Sequence, residues 1–155
     1  MQGKHDHGSW DDAGTERPRV LIECPSTASP SIIADLVSRS GYEVRTCVGP
    51  DDRGHRCDLL DEGACELVSG ADVVVNMLGV RKDAGSRVAE AVLSERRPPK
   101  VVVEIAQPDV PVTGVDLQAA EVVSTPVHAG QLLRAIRRAL GRATGPSTWW
   151  GDGAP

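Results

Sequence analysis

Short apolar runs alternate along this chain with longer stretches whose apolar positions recur every three to four residues. RVLIE (19–23), YEVRTCV (42–48), residues 72–77 within ADVVVNMLG, VVVEI (101–105) and EVVS (121–124) read as five strands. The second shows period-two alternation, and the fourth is almost continuously apolar, as a strand buried on both faces should be. Between them, PSIIADLVSRSG (30–41) predicts a helix. Ser29 is placed to cap it, Pro30 suits its first turn, Ile32, Ile33, Leu36 and Val37 share one face, and Gly41 ends it. CDLLDEGACELVSG (57–70) predicts a short helix, and AGSRVAEAVLSERR (84–97) a longer one stopped by Pro98 and Pro99. GVDLQAA (114–120) predicts a stunted helix, and HAGQLLRAIRRALG (128–141) a final one with Leu132, Leu133, Ile136 and Leu140 facing inward. Five strands alternating with helices predict a parallel sheet covered on both faces, a three-layer α/β sandwich.

The length of 155 residues suits one such domain, and 40% hydrophobic with 25% charged residues is ordinary for a globular one. Residues 1–17 read as a disordered arm, 18–141 as the folded body, and 142–155 (RATGPSTWWGDGAP) as a flexible tail. The arm lacks the apolar stretch of a secretory signal and no run approaches the length of a membrane span, so a cytoplasmic protein without a membrane partner is expected. A net charge of −5 argues against nucleic acid as a partner. Phe is absent and Tyr42 is the sole aromatic residue of the body, with Trp10, Trp149 and Trp150 near the termini. The core must be built from Val, Leu, Ile and Ala.

Two stretches carry a family resemblance: GYEV (41–44) opening the second strand, and VVSTPVHAGQLLRAIRRAL (122–140), a strand, a residue followed by proline, and an amphipathic helix. With them, residues 19–141 resemble a response-regulator receiver domain. The resemblance implies a flavodoxin-like fold, its five-stranded parallel sheet in 2-1-3-4-5 order, and a module of signal transduction rather than an enzyme. A weaker likeness, in RVLI, GYEVRTCVGPD, CDLLD and GADVVVNMLG, is to the nucleotide-binding half of an atypical short-chain dehydrogenase or epimerase. It implies a degenerate NAD(P)-binding protein, because CPSTASPS (24–31) stands where the glycine-rich turn would be and contains no glycine.

Phosphotransfer in a receiver requires a nucleophilic carboxylate, an acidic pair for Mg²⁺, a hydroxyl and a lysine. By the resemblance, the acceptor falls at or next to Asn76, whose amide is not a usable nucleophile. The acidic pair falls near Glu23-Cys24, the hydroxyl near Ile105-Ala106 with Glu104 just before, and the lysine at Thr125, followed by Pro126. Asp72 is acidic but starts its strand. The expected edge is therefore degenerate: Glu23, Cys24, Asn76, Glu104 and Thr125, with no catalytic residue. The resemblance also implies a cis Thr125-Pro126 bond.

Four cysteines, Cys24, Cys47, Cys57 and Cys65, lie in the first half without any CxxC spacing. The order of the strands brings Cys24 and Cys47 to the same edge, and the following loop carries Cys57 and Cys65 over or beside it. Thiolates there, with Glu23 or His55, would favour zinc, or an iron–sulfur cluster if all four meet; buried cysteine is otherwise a common small core residue. That chemistry would make the chain a metal or redox sensor. His5 and His7 in the arm fit a solvated tail. The last helix is basic through Arg134, Arg137, Arg138 and Arg142, and the tail carries Trp149 and Trp150. These residues mark a face where a protein partner, or a second copy forming a homodimer, would dock beside the last strand. The leading expectation is a non-phosphorylatable receiver-like module that works by binding, with no resident cofactor.

Overall fold

The computed structural model describes residues 9–11, 16–50, 55–78, 83–106, 117–125 and 127–141. The strands are β1 (Arg19–Glu23), β2 (Glu43–Cys47), β3 (Val73–Asn76), β4 (Lys100–Ala106) and β5 (Ala120–Thr125). All pair in parallel, in the order β2-β1-β3-β4-β5. The helices are α1 (Pro30–Arg39), α2 (Asp58–Asp61), α3 (Glu66–Ser69), α4 (Asp83–Leu93) and α5 (Ala129–Gly141). This is the flavodoxin-like topology expected, with runs of Val, Leu and Ile through the middle of the central strands β1, β3 and β4.

Strand period two divides the apolar residues into two cores. On one face Val20, Ile22, Val73, Val75, Val102 and Val123 pack against Val37 of α1 and Leu132, Ala135, Ile136 and Ala139 of α5. On the other, Leu21, Val74, Val101, Val103 and Ala120 pack against α2, α3 and α4. The first face is covered by two full helices. The second has one full helix and two stubs of four residues each. The stretch 57–70 thus forms two short helices instead of one. Gly63, at φ +76°, turns the chain between them in a region that favours glycine.

The shortfall on that second face is filled from an unexpected place. Trp10 belongs to the segment expected to be disordered, yet it is only 7% exposed and packs into the α2–α4 core. Its Nε1 donates to the Leu67 carbonyl at 3.0 Å, and the guanidinium groups of Arg19 and Arg45 lie 5.5 and 5.8 Å from its ring centroid. Gly70 makes the seat possible, since a Cβ there would overlap the indole. An otherwise polar arm hides one large aromatic residue that the helical stubs leave room for.

Three smaller expectations change. Ser29 does not cap α1 with its side chain; it takes a left-handed conformation, φ 52° and ψ 60°, joining a 3₁₀ turn at Ser26–Ala28 to the helix. Ile32 is 70% exposed, so the inward face of α1 is narrower than its apolar spacing implies. The stunted helix before β5 is a 3₁₀ turn, Leu117–Ala119. His5, His7, Pro126, Arg142, Trp149 and Trp150 lie outside the described residues. No described helix is long and apolar enough to cross a membrane.

Candidate functional site

Parallel strands place all their carboxyl ends at one edge, where ligands of open α/β sheets bind. Glu23 closes β1, Cys47 β2, Asn76 β3, Ala106 β4 and Thr125 β5. Glu23 is in register with Cys47 on one side and Asn76 on the other. The expected edge residues therefore do share an edge, but period two sends their side chains to opposite faces.

Glu23 and Asn76 continue the alternation of Leu21 and Val74, so they sit on the α2–α4 face. Asn76 is fully buried, and both ends of its amide are used. Its Oδ1 accepts from the Leu78 backbone N–H at 3.1 Å, and its Nδ2 donates to the Gly85 carbonyl at 3.3 Å. The side chain thus ties the turn after β3 to the first turns of α4, satisfying backbone groups that would otherwise be buried without partners. An asparagine here is a structural cross-brace.

Glu23 is the opposite case. It is only 3% exposed, and its Oε2 has no hydrogen-bond partner among the described residues. Burial pushes its carboxyl up to about 8, so at neutral pH it is largely the neutral acid. Cys47, Cys57 and Cys65 pack on the same face, at the margin of the same core. Burial raises the Cys47 thiol to about 12; the Gly49 N–H, 3.4 Å from its sulfur, eases this, and Glu23, Cys57 and Cys65 add to it. Burial likewise raises Cys57 and Cys65, the backbone N–H groups of the following helical residues ease both, and nearby negative charge, Glu23 included, pushes them up again.

The four cysteines do not meet. Cys24 is fully buried in the α1–α5 core, where burial first and the charge of Glu104 second raise its thiol. The reason is its position one residue beyond Glu23, which turns it to the other side of the sheet. The expectation of a four-cysteine iron–sulfur centre is corrected accordingly. Among the described residues, no three His, Cys, Asp or Glu side chains are already arranged to hold a metal ion. Glu104 and Thr125 share the Cys24 side, where Thr125 Oγ1 donates to Glu104 Oε1 at 2.6 Å. A threonine–glutamate pair thus occupies the corner where a receiver has its lysine and hydroxyl. Asp72 lies at the opposite edge, accepting from the Arg19 backbone N–H at 2.7 Å.

The Mg²⁺ of a receiver does not fit these residues. Its acidic pair is reduced to one carboxyl held neutral by burial and bordered by thiols, whereas Mg²⁺ takes charged oxygen ligands in near-ideal octahedral geometry. On the far side of the sheet, Arg134, Arg137 and Arg138 of α5 are exposed, and Arg138 Nε pairs with Glu121 of β5 at 3.3 Å. Val122 of β5 is 36% exposed. Sequence reasoning missed that one Glu23 oxygen, Oε2, is buried without a hydrogen-bond partner among the described residues. Its one legible sign was a carboxylate ending a strand otherwise mostly apolar.

Several solved structures similar to this one are receiver domains. A CheY-like response regulator receiver domain from Methanospirillum hungatei matches with a TM-score of 0.61 at 17% identity, covering 83% of this chain and 97% of that one. A signal receiver domain from Vibrio parahaemolyticus matches with a TM-score of 0.59 at 19% identity, covering 83% and 93%. A receiver protein from Sinorhizobium medicae gives 0.58 at 15%, covering 81% and 96%. The fold is that of a receiver domain. The dehydrogenase likeness of the first half is not reflected in these neighbours. No protein-family model matches the sequence, and no curated protein does.

Proposed function

We propose that the chain is a pseudo-receiver: a signalling module that takes up no phosphoryl group, performs no catalysis and acts by docking a protein. The observation that carries this is the state of Asn76. A phosphoryl acceptor must be nucleophilic and reachable, whereas this side chain is an amide, fully buried, with both ends spent on backbone groups. The receiver fold of its structural neighbours supports a signalling role. The exposed arginines of α5 beside β5 favour a partner that presents an acidic surface, and Trp149 and Trp150, which follow α5 in the sequence, are of a residue type that anchors interfaces.

Incubation with acetyl phosphate and Mg²⁺ tests the first half of the reading. The intact mass should stay unchanged, and a stoichiometric phosphoryl adduct overturns it. For the docking half, sedimentation of the wild type beside an Arg134→Glu/Arg137→Glu variant distinguishes the two kinds of partner. Self-association lost in the variant identifies a second copy. A wild type that stays monomeric at high concentration directs the search to another acidic protein.

A further inference from the structure

The amino edge of the sheet plays no part in docking through α5, yet it holds residues 9–11 in the manner of a bound peptide. Trp10 is the anchor: Nε1 donates to the Leu67 carbonyl at 3.0 Å, Gly70 leaves room for the ring, and the Arg19 and Arg45 guanidinium groups lie 5.5 and 5.8 Å from the ring centroid. The backbone on either side is read as well. Arg45 Nε donates to the Ser9 carbonyl at 3.1 Å, Arg19 Nη2 donates to the Asp11 carbonyl at 2.8 Å, and the Asp11 N–H donates to Glu43 Oε1 at 3.1 Å. The acidic side chain is held too, with Asp11 Oδ1 3.3 Å from Arg45 Nη2. These readers are positioned by the body itself, Arg19 by its ion pair with Glu43 at 3.2 Å and Arg45 by a bond from Nη1 to the Val44 carbonyl at 3.0 Å. An aromatic side chain in a fitted seat, with main-chain bonds on both sides, is how short segments are recognised between proteins.

We propose that this seat is an interface between two copies of the chain, each accepting Ser9, Trp10 and Asp11 of the other in place of its own. A second copy is the occupant because it carries the very segment the seat fits, and one seat and one segment per copy make a reciprocal, two-fold exchange that closes on itself. All these contacts join residues 9–11 to residues 19–70, so they survive whichever copy supplies the segment. Only the connection changes. The body grips the chain at Pro18, whose carbonyl accepts from the Glu43 N–H at 3.0 Å. Residues 12–17, DAGTER, contain a glycine and no large apolar side chain to hold them to their own core. In dilute solution each segment stays on its own body, because a short tether gives it an effective concentration on the order of millimolar. Exchange sets in as the chain itself approaches that concentration, or wherever two copies are held side by side. It uses none of the α5 arginines, so exchange and docking through α5 stand or fall separately.

The experiment is a complementation between two variants of the full chain, both carrying Arg134→Glu/Arg137→Glu to silence association through α5. Trp10→Ala keeps the seat and loses the anchor. Gly70→Ala keeps the anchor and blocks the seat, because a Cβ there overlaps the indole, and at φ −91° the backbone accepts alanine without strain. Sedimentation of each variant alone should show monomers, and an equimolar mixture should give a heterodimer with one copy of each. That heterodimer should form at a concentration at least about tenfold below that at which the chain with only the α5 substitutions dimerises, since the empty seat has no segment of its own to displace. A mixture that stays monomeric overturns the proposal, as does either variant associating alone as readily as the chain with only the α5 substitutions. If Trp10→Ala does not fold, isotope-filtered NMR on mixed labelled and unlabelled wild type at about 1 mM decides. Contacts between the Trp10 indole of one copy and Leu67 of the other support exchange, and contacts confined within single copies reject it.

Discussion

The two edges of the sheet differ in how their polar groups are satisfied. At the amino edge the charged groups that bear on the core have their counterparts. Arg19 Nε meets Glu43 Oε2 at 3.2 Å, the Asp11 backbone N–H reaches Glu43 Oε1 at 3.1 Å, and Arg19 and Arg45 flank Trp10 while also bonding the backbone of residues 9–11. At the carboxyl edge Asn76 is braced, but Glu23 is buried with one oxygen, Oε2, that has no hydrogen-bond partner among the described residues. The amino edge is built to hold together. The carboxyl edge departs from that economy, and such departures mark positions kept for something other than stability.

The comparison is broken most directly at the amino edge. Trp10→Ala removes a buried indole, its hydrogen bond to Leu67 and its contacts with two guanidinium groups, and should destabilise the fold by about 3–5 kcal/mol. Urea unfolding measures this. Trp10→Phe should recover the larger part, since the ring volume is mostly kept and one hydrogen bond is lost. A loss below about 1 kcal/mol for Trp10→Ala would mean that the segment is an ornament on a core complete without it.

The carboxyl edge is sharpened by pH. Glu23 has an ordinary carboxyl in the unfolded chain, near 4.5, and is raised to about 8 in the folded one. The fold therefore favours the protonated form. That contribution is complete below about pH 4.5, is eroded as the pH climbs, and is gone above about 8. The groups facing Glu23 do not cancel the effect, because Cys47, Cys57 and Cys65 are themselves raised and Asn76 carries no charge. Glu23→Gln should match the wild type near pH 4.5 and exceed it by a few kcal/mol at about pH 8.5, since each tenfold difference in proton affinity between the folded and unfolded chain is worth about 1.4 kcal/mol. Parallel stability profiles for the two proteins would show that Glu23 does not titrate as an orphan.

Much of this architecture is legible in the sequence because it is written in periodicity. Five apolar runs and their order suffice for the sheet, and which residues reach its carboxyl edge follows from which ones end those runs. Two things are not legible. Trp10 gives no periodic signal, since a single aromatic residue in a polar arm has no neighbours that reveal a face. The separation of Cys24 from the other thiols rests on one residue of strand parity, and Glu23-Cys24 read as a pair until the end of the strand is fixed. The short helices before β3 are a related failure. Their apolar content suits one helix, and the break at Gly63 is a backbone event that composition barely registers.

The smallest expected effect probes the face between the edges. Arg138 and Glu121 form an ion pair with Arg138 about half exposed, and such pairs contribute roughly 0–1 kcal/mol because solvent screens them and ordering two long side chains has an entropic cost. Arg138→Ala should lower stability by no more than about 1 kcal/mol and leave the sheet intact, because Glu121, whose side chain is 12% exposed, keeps another interaction. Its effect on docking should be disproportionate, since a guanidinium positioned by Glu121 is already fixed for a partner's carboxylate, and a rigid cation is worth more at an interface than on an open surface. Equilibrium unfolding and partner affinity, measured on the same variant, give the ratio that decides. Equal small losses in both would make the arginines of α5 a solvated helix end and return the search for a partner to β5 itself.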